Sequence, residues 1–296
     1  MMTVGFVGLG SMGLPMARNL LAHGFKVRGF DMRPAAMEAL VEAGGERASS
    51  AADAGRSADI LILMVVNAAQ AETVLFAEDA LAALPPDGII ALMVTCPPGA
   101  VASIAARVLA TGRRFIDAPV SGGVAGAVDG TLTVMVASPR GTFDAAKSVF
   151  NAVGKRIFHV GEQPGQGATA KTVNQLLCGV HIAAAAEALS LAAKVGVDLN
   201  VMLDILGGSS AASWMLKDRG PRMLEADPQV GSAVDIFVKD LGIVLEAGRE
   251  VKAALPLAAV AHQMFLAVSG RGDGAVDDSQ VIRTYHAMNG TVAPNQ

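Results

Sequence analysis

The chain has 296 residues, 52% of them hydrophobic and 17% charged, and a formal net charge of −4. That length suits about two domains with real cores, the apolar share excludes a disordered chain, and the mild acidity argues against nucleic acid as a main partner. Two cysteines, Cys96 and Cys178, make neither a disulfide framework nor a zinc site, so no metal is expected and a reduced, cytoplasmic setting fits. The opening MMTVGFVGLG lacks a basic segment followed by an apolar core, so no signal peptide is read. Apolar runs are broken by Gly, Asn, His or Glu before ~18 residues, so no membrane span is expected.

In chain order, Val4 to Val7 reads as a strand. Gly8-Leu9-Gly10-Ser11-Met12-Gly13 follows and opens a helix to about Ala22, stopped by Gly24. Lys26 to Phe30 is a second strand ending at Asp31, and Pro34 starts a second helix. Ile60 to Val66 is a continuous apolar strand of the kind buried on both faces of a sheet. Asn67 can cap the next helix. Gly88 to Val94 is a strand, and Pro97-Pro98 opens a helix at its first turn. Phe115 to Ala118 is a strand, Ser121 to Gly130 a Gly-rich loop, and Thr131 to Ala137 a strand. A helix from about Thr142 to Ala152 and a strand at Arg156 to Val160 close this region. Alternating strands and helices predict a Rossmann-type, doubly wound, mostly parallel α/β sheet over residues 1–163. Only helical periodicity follows, which predicts an all-helical second domain over residues 164–296, joined by a long helix between Gly165 and Gly196.

Gly8-x-Gly10-x-x-Gly13 lies between a strand and a helix, the context in which three glycines signal a dinucleotide rather than a mere turn. Gly8 suits the tight turn, Gly10 lets the backbone approach a pyrophosphate, and Gly13 lets helix and strand pack closely. The helix start offers amide donors and partial positive charge. Asp31 ends the next strand, where a carboxylate accepts from the ribose hydroxyls of NAD and repels the 2′-phosphate of NADP. Arg33, two residues on, softens that repulsion. Asp117-Ala118-Pro119-Val120-Ser121-Gly122-Gly123 follows a strand end, and its Ser-Gly-Gly run suits a carboxylate, although a plain Gly-rich turn reads the same way. On the long helix, Lys171, Asn174, Cys178 and His181 recur at steps of three, four and three and share one stripe. Lys171 is either a lysine snorkelling to solvent or a general acid/base facing a cleft. Lys239-Asp240 reads equally as a solvated helix face. The histidines show no ligand spacing.

The motifs GFVGLGSMGLPMARNL, DAPVSGG, GTLTVM, GATAKTVN and VKDLG together resemble the β-hydroxyacid dehydrogenases, the group of 3-hydroxyisobutyrate dehydrogenase and tartronate semialdehyde reductase. The likeness runs nearly end to end. Within it, the stretches around Val65-Val66-Asn67, Gln175 to Ala184, Ser232 to Leu241 and Asp277-Asp278-Ser279 resemble a subgroup acting on a four-carbon sugar acid. The resemblance implies Lys171 as general acid/base with Asn174 beside it. It implies Ser121, Gly122 and Gly123 on the substrate carboxylate, and Val65, Val66, Asn67, Thr95 and Lys239 at the cofactor. Only the threonine survives of the Asp-x-Ser-Thr segment that many members carry at Leu92 to Thr95. The expected activity is NAD-dependent oxidation of a small hydroxy acid by a homodimer or homotetramer. Burial in the cleft and the positive nicotinamide would lower the lysine from its ordinary value of ~10.4. The reading of another class is an NAD(H)-binding sensor without turnover.

Overall fold

The computed structural model describes residues 2–291. The chain divides into two compact units, residues 1–171 and 172–296.

In the first unit the strands are β1 Thr3–Val7, β2 Lys26–Phe30, β3 Glu46–Arg47, β4 Ile60–Leu63, β5 Ile89–Leu92, β6 Arg114–Asp117, β7 Val120–Ser121, β8 Leu132–Ala137 and β9 Gly154–Gly161. Between them lie α1 Gly13–Ala22, α2 Pro34–Glu42, α3 Ala51–Gly55, α4 Ala68–Glu72, α5 Ala80–Ala83, α6 Pro98–Leu109, α7 Gly123–Val128 and α8 Arg140–Val153. The sheet order is β3-β2-β1-β4-β5-β6-β8-β7, with β9 paired to β8. From β3 to β6 every pair is parallel.

The alternation of strand and helix does not keep the sheet parallel throughout. β8 runs antiparallel to β6 and to β7. Only β7 and the 6-residue α7 stand between β6 and β8. That is about 9 Å of helix against the ~20 Å of a six-residue strand, too little to return the chain to the strand's starting edge. The loop read over Ser121 to Gly130 therefore contains a short strand and a short helix. The strand read from Ile60 to Val66 ends at Leu63.

β4 shows how the sheet acquires two cores. Ile60 and Ile62 point into one layer with Phe6, Met16, Leu20 and Phe150. Leu61 and Leu63 point into the other with Ile90, Val101, Ile104 and Phe115. This is the period of two of a strand covered on both faces, and each such side chain contributes roughly 1.5–3 kcal/mol by leaving water.

The long helix is α9, Gln166–Lys194. Its first residues belong to the first unit, so the division falls beyond the expected boundary near residue 163. The second unit continues with α10 Leu199–Gly208, α11 Trp214–Met223, α12 Val234–Glu250, α13 Pro256–Val268 and α14 Ile282–Asn289. Its described residues are helical or irregular save one bridge between Ala233 and Asp277. Ile182, Leu189, Phe237, Leu241, Phe265 and Tyr285 form its core. A buried ion-pair network ties α11 to the chain before α14. Arg219 donates to both oxygens of Asp278 at 2.8 and 2.9 Å, and Arg222 donates to Asp277 at 2.7 Å. Contrary to the expectation from broken apolar runs, α9 is long and apolar enough to cross a membrane by composition. Half of its most apolar stretch is buried in the protein, and it carries Lys171, Asn174 and Glu187, as a core helix does.

Candidate active site

β1 delivers Gly8 at φ 95°, in the left-handed region that favours glycine. A Cβ there would stand 2.5 Å from the Met64 carbonyl oxygen. The turn after β1 and the turn after β4 therefore touch backbone to backbone. β1 and β4 are also where the strand order reverses, and at such a switch point an open α/β sheet takes its ligand. No side chain caps the start of α1; Leu14 and Met16 N–H donate to the Gly10 and Met12 carbonyls and Pro15 has no N–H, so any backbone donors for an anion come from the turn that leads into the helix. Gly8, Leu9, Gly10, Ser11, Met12 and Gly13 thus form a tight turn at the switch point, the stretch that the sequence offers to a pyrophosphate.

Asp31 closes the turn. Leu9 N–H donates to its Oδ2 at 2.8 Å, and Arg33 donates to its Oδ1 from N–H at 2.9 Å and from Nε at 3.0 Å. Arg33 Nη2 also donates to the Leu9 carbonyl oxygen at 3.2 Å. Burial opposes the charge on Asp31, but the hydrogen bonds from Arg33 and Leu9 prevail and hold its carboxyl below the usual range. The carboxylate expected to meet a ribose is thus already engaged by its own chain, under a largely exposed Arg33.

Across the switch point, Val65 is half-buried and Val66 exposed. Asn67 caps α4 by accepting from Gln70 N–H at 2.9 Å, while the Gln70 side chain accepts from Val66 N–H at 2.9 Å. This reciprocal pair fixes the turn. Thr95 lies half-buried just past β5. Ser121 ends β7, paired with Thr133 of β8, and Gly122 and Gly123 turn away from it at φ 133° and 62°.

Sequence reasoning assigned no role to Asp117. It ends β6, is 1% exposed, and its Oδ2 accepts from Gly165 N–H and from Ala168 N–H, both at 2.9 Å. Burial pushes this carboxyl up to about 6, against the pull of the Ala168, Gly165 and Gly167 amides. Gly167 of the GATAKTVN motif has a packing reason: a Cβ would lie 2.7 Å from the Met135 carbonyl oxygen and 2.8 Å from that of Asp117. One turn on, Lys171 is 6% exposed, so it does not snorkel into solvent. An acid at a strand end carries no sequence signal for this task, because its partners lie 48 and 51 residues away.

In the second unit, Asn174 is half-buried, and Cys178 Sγ lies 3.7 Å from its Oδ1. Gln175, also missed from sequence, is buried and donates to Asp240 Oδ2 at 2.6 Å. Lys239 Nζ lies 2.8 Å from Asp240 Oδ1, and Asp240 is 2% exposed. Lys239-Asp240 is therefore no solvated face. Asp235 and Ser213, polar groups at this unit's helix starts, are engaged locally. Asp235 accepts from Ser269 Oγ at 2.6 Å, and Ser213 caps α11 through Leu216 N–H at 3.0 Å. Among the described residues no cluster of His, Cys, Asp or Glu is arranged for a metal.

Residues 3–161 match the family described as the NAD binding domain of 6-phosphogluconate dehydrogenase, and residues 165–285 the NAD-binding domain of NADP-dependent 3-hydroxyisobutyrate dehydrogenase. The L-threonate dehydrogenase of Cupriavidus necator is 43% identical over 95% of this chain and 95% of its own length. The 3-hydroxyisobutyrate dehydrogenase of Pseudomonas aeruginosa is 37% identical over 90% and 91%. A crystal structure of a 3-hydroxyisobutyrate dehydrogenase from Salmonella typhimurium superposes with a TM-score of 0.91 at 40% identity, covering 96% of this chain and 99% of the other. A glycine-rich turn at the switch point, in a chain with relatives of this kind, defines an oxidoreductase, an NAD-dependent hydroxyacid dehydrogenase, rather than a sensor. More narrowly, the chain belongs to the 3-hydroxyisobutyrate dehydrogenase family, among relatives that include L-threonate dehydrogenases.

Proposed function

We propose that the chain oxidises L-threonate at carbon 2 to 2-oxo-tetronate (2-dehydro-L-erythronate), with Lys171 as the general acid/base. The observation that carries the catalytic part is Lys171 itself: a lysine 6% exposed, on a helix whose first turn is anchored to the strand leading to Ser121-Gly122-Gly123. Removal from bulk water is the condition under which a lysine serves as a base. NAD⁺, when bound, supplies the hydride acceptor. Lys171 Nζ takes the hydroxyl proton as the C–H bond breaks, and returns it to the carbonyl oxygen in the reverse direction. The Ser121 hydroxyl and the Gly122 and Gly123 amides hold the substrate carboxylate, and Asn174 is the companion of Lys171 one turn along α9. The ionised Asp31 disfavours a 2′-phosphate and supports NAD⁺ over NADP⁺.

The substrate is supported by the likeness to L-threonate dehydrogenases, and physical reasoning alone reaches a small polar hydroxy acid. Relatives named 3-hydroxyisobutyrate dehydrogenase favour that acid as a second reading. Side-by-side kcat/KM on L-threonate, D-threonate, D-erythronate, 3-hydroxyisobutyrate and D-glycerate with NAD⁺ decides between them. L-threonate is expected to lead. A lead for 3-hydroxyisobutyrate or D-glycerate overturns the substrate and leaves the family standing. A cytoplasmic homodimer or homotetramer belongs to the same proposal, supported by two buried cysteines and by the exposed Val173, Leu177 and Leu191 of α9 and Val195 just after it.

A further inference from the structure

Asp117 has no part in the chemistry above, yet it is a buried carboxylate between two parts of that site. Four residues along its own strand connection is Ser121. The two amides it holds, at 2.9 Å each, belong to Gly165 and Ala168, within two turns of Lys171. Those amides lie at the start of α9, where helix N–H groups lack partners within the helix. Gly167 completes the clamp, since with no Cβ the helix start lies directly against the Met135 and Asp117 carbonyls. Met135 belongs to β8, the strand that also pairs with Ser121. The turn before Lys171 and the Ser121-Gly122-Gly123 loop therefore hang on the same two strands. The ionised state is held against burial, which pushes the Asp117 carboxyl up to about 6. Holding a charge at such a site is the kind of strain that functional sites carry.

We propose that Asp117 is a positioning residue for Lys171: its carboxylate fixes the first turn of α9 against β6, and with it the reach of Nζ toward a hydroxyl held at Ser121 to Gly123. The inference rests on Lys171 being the acid/base. Displacing a reacting group by about 1 Å lowers a rate on the order of 10²-fold, whereas the turn at Gly8 to Gly13 and Asp31 lies on other strands.

The test compares D117A, D117N, G167A and K171A in the full chain. It uses kcat and KM for the hydroxy acid that reacts best among the five above, and the NADH dissociation constant from fluorescence. D117A is expected to lower kcat about 10²-fold, with KM changed less than about threefold and NADH affinity within about twofold. D117N keeps an acceptor oxygen for the same amides and is expected to restore kcat to within about tenfold of wild type. G167A must push the helix start off the strands, so it is expected to lower kcat without weakening NADH, and it decides the matter if D117A does not fold. The proposal is overturned if D117A and G167A keep kcat within about threefold, if D117N is no better than D117A, or if NADH affinity falls along with kcat. An active K171A removes the acid/base reading beneath it. An inactive K171A beside a normal D117A removes this proposal alone.

Discussion

Replacing Asp117 by Asn removes a charge from a buried site and leaves its outline nearly unchanged. In the folded chain this carboxyl titrates near 6, driven up by burial against the pull of three amides, and in the unfolded chain near 3.8. Between those values the folded state binds more protons than the unfolded one, so stability falls as pH rises from 4 to 6 and is level above. A rise of roughly two pH units, at about 1.4 kcal/mol each, amounts to about 3 kcal/mol. Of this, about 1 kcal/mol is present at pH 4.5 and all of it at pH 7.5. Asn does not titrate, so the stability of D117N relative to wild type is expected to improve by about 2 kcal/mol between those two pH values. The absolute level depends on how the amide NH₂ fits, and the pH dependence does not. Urea unfolding followed by circular dichroism at pH 4.5 and 7.5 measures it, and the other carboxyls cancel because both proteins share them. A difference constant within about 0.5 kcal/mol, or one moving in wild type's favour as pH rises, refutes the account of a charge held against burial.

K171A is expected to lower kcat by roughly 10²–10⁴-fold, with NADH affinity unchanged in a fluorescence titration; near-normal turnover contradicts its role. R33A frees the Asp31 carboxylate and removes the cation paired with it, so the ratio of NADH to NADPH affinity is expected to rise about tenfold or more, the worth of one charge-assisted hydrogen bond. Direct titration with both reduced cofactors checks this, and an unchanged ratio shows that Arg33 plays no part in the choice. R219A leaves Asp278, which is 0% exposed, without its partner. The expected loss is about 3–5 kcal/mol of stability, read from denaturant unfolding, and a loss under about 1 kcal/mol refutes the weight given to that pair.

Much of this protein was legible in local sequence. The strand-GLGSMG-helix unit, Asp31 at the end of the next strand, the Asn67 cap, the proline opening of α6 and the long α9 all depend on residues within a few positions of each other. Backbone sterics, the pleat and the helical turn act over that range, so their periods are written in the order of residues. The motif at Lys171 was legible as a stripe on a helix, but its burial was not, since a lysine on an apolar helix reads equally as a snorkelling one. The tertiary structure decided where distant chain returns. It turned β8 against β6 because α7 is too short to cross the sheet, and brought Asp117 to amides 48 and 51 residues away. It also paired Gln175 with Asp240 across 65 residues and Arg219 with Asp278 across 59. The partner of a buried polar group is whatever donor or acceptor the fold places within about 3 Å. Sequence spacing carries no such distance, so these residues acquired their roles only once the chain was folded.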